Sequence, residues 1–171
     1  MSIPKPQPRV VVVMGVSGVG KSTVGRLLAQ RLGVPFAEGD DFHPAANIAK
    51  LSAGHPLNDS DRVHWLDAIA TWLKSHQQHG AVVSCSALKR SYRDRLRNEN
   101  GDALFFLHLT GSYELLASRL AERKGHYMPS SLLRSQFAAL EPLARDEVGA
   151  VVPIGDTPLG TTDRALSLLS P

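Results

Sequence analysis

The chain has 171 residues, 43% of them hydrophobic and 20% charged, with a formal net charge of +3. That length suits one domain with a substantial core, and the mild positive charge suits a site for anions without marking a nucleic-acid binder. The one cysteine, Cys85, excludes an internal disulfide and a cysteine-built zinc cluster; with no apolar run of transmembrane length and no secretory pattern, the expectation is a cytoplasmic protein.

Prolines at alternate positions predict a flexible N-terminal tail over residues 1–9, leaving residues 10–171 as a single domain. The β-branched run Val10 to Met14 predicts a first strand, and Gly15-Val16-Ser17-Gly18-Val19-Gly20-Lys21-Ser22 fits G-x-x-x-x-G-K-[ST] at every fixed position. Its glycines let successive backbone N–H groups turn into one concavity that binds phosphate oxygens. Lys21 supplies an ammonium for the β- and γ-phosphates, and the Ser22 hydroxyl is a hard oxygen ligand for Mg²⁺. The nucleotide site is therefore expected from Gly15, Val16, Ser17, Gly18, Val19, Gly20, Lys21, Ser22 and Thr23, with the positive end of the next helix behind them.

That helix runs from about Lys21 to Leu32 and stops at Gly33. A short strand, about Pro35 to Glu38, leads into Gly39-Asp40-Asp41-Phe42-His43-Pro44, and Pro44 opens a helix to about Ser52. Asn58-Asp59-Ser60-Asp61 supplies caps for a helix carrying Leu66, Ile69, Ala70 and Leu73. Ala81-Val82-Val83 reads as a buried strand ending at Ser84-Cys85-Ser86, followed by a basic helix from about Ala87 to Arg97 and a loop at Asn98 to Gly101. Ala103 to Leu109 predicts another strand, and Gly111-Ser112 caps a helix with Leu115, Leu116 and Leu120. The remaining elements are a helix at about Leu132 to Leu140, a strand at Ala150 to Ile154 and a closing helix near Thr161 to Leu169. Strands alternating with helices predict an α/β fold with a parallel sheet covered on both faces.

The phosphate loop alone does not separate kinases from GTPases or motor ATPases. No Asn-Lys-x-Asp stretch marks a guanine site, and the third strand ends in Ser84-Cys85 rather than in an acid, which favours a small-molecule kinase. Such an enzyme needs a second site for an acceptor hydroxyl. Glu38, Asp40 and Asp41 lie beyond the carboxyl end of a strand, where open α/β sheets place ligands. A carboxylate there can orient the attacking hydroxyl, and Glu38 can hold a Mg²⁺-bound water; Asp40 and Asp41 are equally residues of turns and caps. Arg62 is a candidate carboxylate clamp, with Asp59 beside it to read hydroxyls, or else an arginine after an ordinary helix cap. Lys89 and Arg93, one turn apart, share a face that can meet an acidic substrate, with Ser86 at the start of the same turn; a solvated basic surface is the plainer alternative. Arg119 and Arg123, followed by Lys124-Gly125-His126, suit cations that close over transferred phosphate, although Arg119 alone also suits a helix end.

These motifs, with Asn47 after His43-Pro44, Trp65-Leu66 after Arg62, and Ser135-Gln136-Phe137, resemble in order and spacing the small P-loop gluconate kinases, relatives of shikimate kinase and adenylate kinase. The resemblance spans nearly the whole chain. It implies a P-loop NTPase fold with a five-stranded parallel sheet, helices on both faces and a mobile lid at about residues 121–131. It implies ATP-dependent, Mg²⁺-dependent phosphorylation of D-gluconate at its 6-hydroxyl, in gluconate catabolism, by a homodimer that uses neither nucleic acid nor membrane. Asp40 would face the acceptor hydroxyl, with Lys21 and Arg123 as the other catalytic groups and Arg119 and Arg123 on the nucleotide. His43, Asn47, Asp59, Arg62, Ser86, Lys89, Arg93, His126 and Gln136 would join Asp40 around the substrate, and Ser22 and Glu38, the latter through water, would serve the metal. Glu38 stands where shikimate kinase has an aspartate, and Met128-Pro129 replaces the arginine of the shikimate-type lid.

Overall fold

Four consecutive valines followed by methionine have no polar face to give to water, so a strand built from them must be covered on both sides. In the computed structural model, which describes residues 10–122 and 130–169, β1 (Val10–Met14) is buried along its whole length at the centre of the sheet. Its neighbours are β3 (Ala81–Ser84) and β4 (Leu104–Thr110); β2 (Phe36–Glu38) and β5 (Gly149–Pro153) form the edges, in the order β2-β3-β1-β4-β5. Every pairing is parallel, with Val12 beside Val83 on one flank and Phe106 on the other.

Strand alternation divides the core in two. Val10, Val12 and Met14 face a cluster built with α3 (Asp59–Ser75) and α4 (Arg90–Asn100), through Trp65, Leu66, Ile69, Leu73, Tyr92 and Leu96. Val11 and Val13 face the opposite cluster, to which α1 (Lys21–Leu32), α5 (Tyr113–Glu122), α6 (Ser130–Ala139) and α7 (Pro158–Leu169) contribute Val24, Leu28, Leu116, Leu133 and Ala165. A short helix, α2 (Ala45–Ser52), lies between β2 and α3 in the chain. The chain thus leaves β1 toward one face and its neighbour β3 toward the other. This opens a crevice at the strands' carboxyl ends, where ligands bind in such sheets.

The sequence pattern misplaces both ends of the basic helix, for physical reasons, and the closing helix begins at Pro158 rather than near Thr161. The basic helix begins at Arg90 rather than Ala87, because Ala87 takes the left-handed conformation (φ 46°) and Lys89 is still extended. The same helix continues through Asn98 and Asn100, read above as a loop. Asn100 is buried and its side-chain amide donates to the carbonyls of Ala70 and Leu96, which secures the last turn against α3. In α5, Leu116 is buried while Leu115 stays exposed.

Candidate active site

The phosphate loop is held from below by backbone. The Gly15 N–H donates to the Ser86 carbonyl (3.2 Å), and a Cβ on Gly15 would come within 2.6 Å of the Leu109 carbonyl oxygen. Only glycine fits there, because its φ of 143° also disfavours any side chain. Val16 and Val19 bury their side chains in the core, so the loop's polar backbone faces outward. The Lys21 ammonium donates to the Val16 carbonyl (3.1 Å), folding back over the loop it follows.

Two cavities flank this loop and share Gly18, Gly20 and Thr23. One, of about 440 Å³, is lined by Ser17, Lys21 and Ser22 of the loop together with Glu38, Asp40, Cys85 and Ser86. The other, of about 330 Å³, is enclosed by Arg119 and by the turn after β5, including Ile154, Gly155 and Thr157. Phosphate donors therefore stand between an acidic chamber and a more apolar one.

The acidic chamber is built on a close backbone approach at Gly39, where a Cβ would lie 2.1 Å from the Ser84 carbonyl oxygen. Trp65 Nε1–H donates to the Gly39 carbonyl (2.7 Å) and fixes the 3₁₀ turn Gly39–Phe42 that carries Asp40. The Asp40 side chain is 94% exposed and stands free over the cavity. His43 stacks on Trp65 with ring centroids 4.6 Å apart, and its Nε2 is 4.0 Å from Asp40. Burial, reinforced by the Arg62 charge and opposed by Asp40, lowers the His43 pKa and favours the neutral ring. Glu38 accepts from the hydroxyls of Ser22 and Ser84, both at 2.7 Å, and from Arg26 at 3.0 Å. A hydroxyl beside a carboxylate, facing bound phosphates, is the hard-oxygen donor set that Mg²⁺ accepts when most of its ligands are water and phosphate. Among the described residues, no cluster of three or more histidines, cysteines or acids offers an alternative metal site. Burial pushes the Cys85 thiol up to about 12, so it remains protonated.

Arg62, whose charge acts on His43, belongs to a cluster that does not line the chamber. Arg62 donates to the Tyr92 hydroxyl (3.2 Å), which donates to Asp59 (2.5 Å); Lys89 also reaches Asp59 (3.3 Å). The hydrogen bonds from Tyr92 and Lys89 hold the Asp59 carboxyl below its usual range, and the bond to Asp59 raises Lys89. Lys89 therefore stays charged beside a phenol and one acid. Asn58 and Asp61 form a reciprocal capping box instead, at 2.8 and 2.9 Å, and Lys50 pairs with Asp61.

Of the described residues expected at the substrate, Asp40, Ser86 and Gln136 line the chamber, His43, Asp59, Arg62 and Lys89 do not, and Arg93 and Asn47 turn inward. Arg93 shares α4's buried stripe with Tyr92 and Leu96, and is wholly buried. Its guanidinium donates to Glu147 at 2.7 and 3.2 Å and to the carbonyls of Ala87, Leu88 and Pro142. With its donors spent inside the protein, it has none for a sugar acid, which corrects the expectation that it shares a face with Lys89. Asn47 is likewise buried, donating to the Asp61 carbonyl (2.9 Å) and lying 3.3 Å from His43 Nδ1; it braces that turn and does not line the chamber. Gln136 reaches the loop from α6, accepting the Ser17 N–H at 2.7 Å. Arg123, Lys124, His126 and most of the expected lid lie outside the described residues. Sequence reasoning missed the Tyr92 hydroxyl, Trp65 and the turn after β5. For that turn the available signal was Gly155-Asp156-Thr157-Pro158 following the last strand.

A parallel sheet in this order, with a phosphate loop after its first strand and a carboxylate facing it from the second, defines a phosphotransferase of the P-loop kinase class. The shikimate kinase family model matches residues 17–146. A gluconokinase of Gluconobacter oxydans (strain 621H) is 52% identical over 143 residues, covering 82% of this chain and 80% of its own. A probable gluconokinase of Schizosaccharomyces pombe (strain 972 / ATCC 24843) is 46% identical over 150 residues, covering 84% and 78%. The crystal structure of a gluconokinase from Sinorhizobium meliloti 1021 superposes with a TM-score of 0.87 at 47% identity, over 96% of this chain and 93% of that one. The chain belongs to the gluconokinases within the shikimate kinase family.

Proposed function

We propose that this protein transfers the γ-phosphoryl group of ATP to the 6-hydroxyl of D-gluconate, giving 6-phospho-D-gluconate and ADP. The observation that carries the reading is the shared chamber: Asp40 lines one cavity together with Lys21 and Ser22. Phosphoryl transfer through a loose transition state asks a protein chiefly for positioning and charge stabilisation. The loop amides and Lys21 hold the triphosphate, and the nucleoside lies toward Arg119 and the turn after β5. Asp40 accepts the hydrogen bond of the attacking hydroxyl and aligns it with the γ-phosphorus. Arg62 and Lys89 hold the carboxylate end, and Asp59 reads a hydroxyl beside them. Ser22, and Glu38 through water, would hold Mg²⁺, which when bound neutralises charge on the β- and γ-phosphates.

Cytoplasmic action as a homodimer completes the proposal; what supports it is the family resemblance. Among the described residues no helix is long and apolar enough to cross a membrane. A panel of small acids assayed for ADP release, with ATP and GTP in parallel, tests the reading. Gluconate with ATP is expected to give the highest kcat/KM; preference for another acid would reassign the substrate. Release no faster with any acid than without one would remove the kinase reading.

A further inference from the structure

Gln136 sits on α6 with Leu133 buried in the core and Phe137 packed edge-on against Tyr113, ring centroids 5.9 Å apart. The helix is therefore a firm support from which one polar side chain reaches the phosphate loop. Its contact there fixes the amide's orientation. The Ser17 N–H can only donate, so the oxygen of Gln136 must face it, at 2.7 Å, and the NH₂ group must face away. Nε2 makes no hydrogen bond to a described residue, and Gln136 lines the same 440 Å³ chamber as Lys21, Ser22 and Asp40.

We propose that Gln136 is a catalytic residue that donates through Nε2 to a non-bridging oxygen of the phosphoryl group in transit, its aim set by the Ser17 amide. The proposal rests on the reading of this chamber as the place where the terminal phosphate lies. A neutral donor adds a hydrogen bond to the developing charge without placing a second cation beside Lys21 or pairing with the acid of the chamber. The Ser17 N–H, already taken by Gln136, is not offered to the phosphate.

Two variants separate a donor from a mere brace for the loop. Gln136→Glu keeps an oxygen for the Ser17 N–H but replaces the donor, and Gln136→Met removes the donor without adding charge. Affinities for ADP and for AMP-PNP, each with Mg²⁺, are measured by calorimetry alongside gluconate-dependent turnover, and thermal melts confirm that both variants fold. The expected result is unchanged ADP affinity and a loss of roughly tenfold or more in the AMP-PNP-to-ADP affinity ratio for both variants, as for a lost hydrogen bond to a charged group. A ratio within twofold of wild type in both variants, or a loss confined to Gln136→Glu, which its charge alone explains, overturns the proposal. The ratio needs no acceptor. If it falls while the wild type ignores gluconate, the donor role stands and the substrate reading fails; an unchanged ratio with active wild type gives the reverse.

Discussion

Lys89, just before helix α4, and Arg93, within it, are two cationic groups four residues apart, and the molecule uses them in opposite ways. Lys89 stays partly exposed, with Arg62, Tyr92 and Asp59 around it. Arg93 faces inward, with no exposed surface, and meets Glu147, itself 1% exposed. An exposed pair in high dielectric is easily rearranged and contributes little to stability. A buried pair must satisfy each donor, because any left unpaired carries its full desolvation cost. The first arrangement suits a ligand that displaces one anion with another. The second suits a brace: by binding the carbonyls of Ala87 and Leu88, Arg93 holds the loop whose Cys85 and Ser86 line the chamber.

This contrast breaks most visibly at Glu147. Glu147→Ala leaves a buried guanidinium without its counterion and is expected to destabilise the fold by about 3–5 kcal/mol, measured by urea unfolding. Adding Arg93→Met should recover only part of that, since the substitution supplies no donor for three carbonyls that Arg93 now serves. Full recovery would mean that the carbonyl contacts are incidental. Asp40→Asn, at an exposed position, should leave the melting temperature unchanged and lower turnover on the order of 10²-fold, as loss of a positioned base does. Lys89→Ala should raise the KM for gluconate about tenfold, as for a lost charge-assisted contact, with the KM for ATP and the melting temperature unchanged. A shift in the ATP constant instead would place Lys89 on the other substrate.

The smallest effect is in pH. Burial pushes the Glu147 carboxyl up, but the hydrogen bonds from Arg93 and the Ala144 N–H, with the Arg93 and Arg90 charges, bring it below its usual range. A depressed carboxyl stabilises the fold fully above its unfolded pKa, and that contribution is lost as pH falls through the folded value. Acid should therefore weaken the protein below the ordinary glutamate range, and Glu147→Gln should flatten that part of the profile. An unaltered profile would assign acid sensitivity to other carboxylates.

The same contrast explains what could be read from the sequence. The phosphate loop was legible because its chemistry is in the backbone and its spacing is local. Gly15 to Ser22 carry it without help from distant residues. The strands and most helices were legible for the same reason, since Val10 to Met14 and the α3 stripe state their burial by periodicity alone. Arg93 was not, because what buries it is Glu147, 54 positions away. Lys89 and Arg93 look alike until that partner is placed. Asn100 was taken for a loop residue because its bond to the Ala70 carbonyl crosses between helices. Ile154, Gly155 and Thr157 join the cavity beside Arg119 through the pairing of β4 with β5, which no local pattern announces.

The chamber lined by Lys21 and Asp40 is proposed to pass a phosphoryl group to a primary hydroxyl of a sugar acid. Phosphorus NMR of the mixture after incubation with ATP, Mg²⁺ and gluconate tests it directly. The predicted product is a phosphate ester whose signal is split into a triplet by the two protons of the 6-carbon. A doublet, from a secondary hydroxyl, or ADP and inorganic phosphate with no new ester, would contradict it.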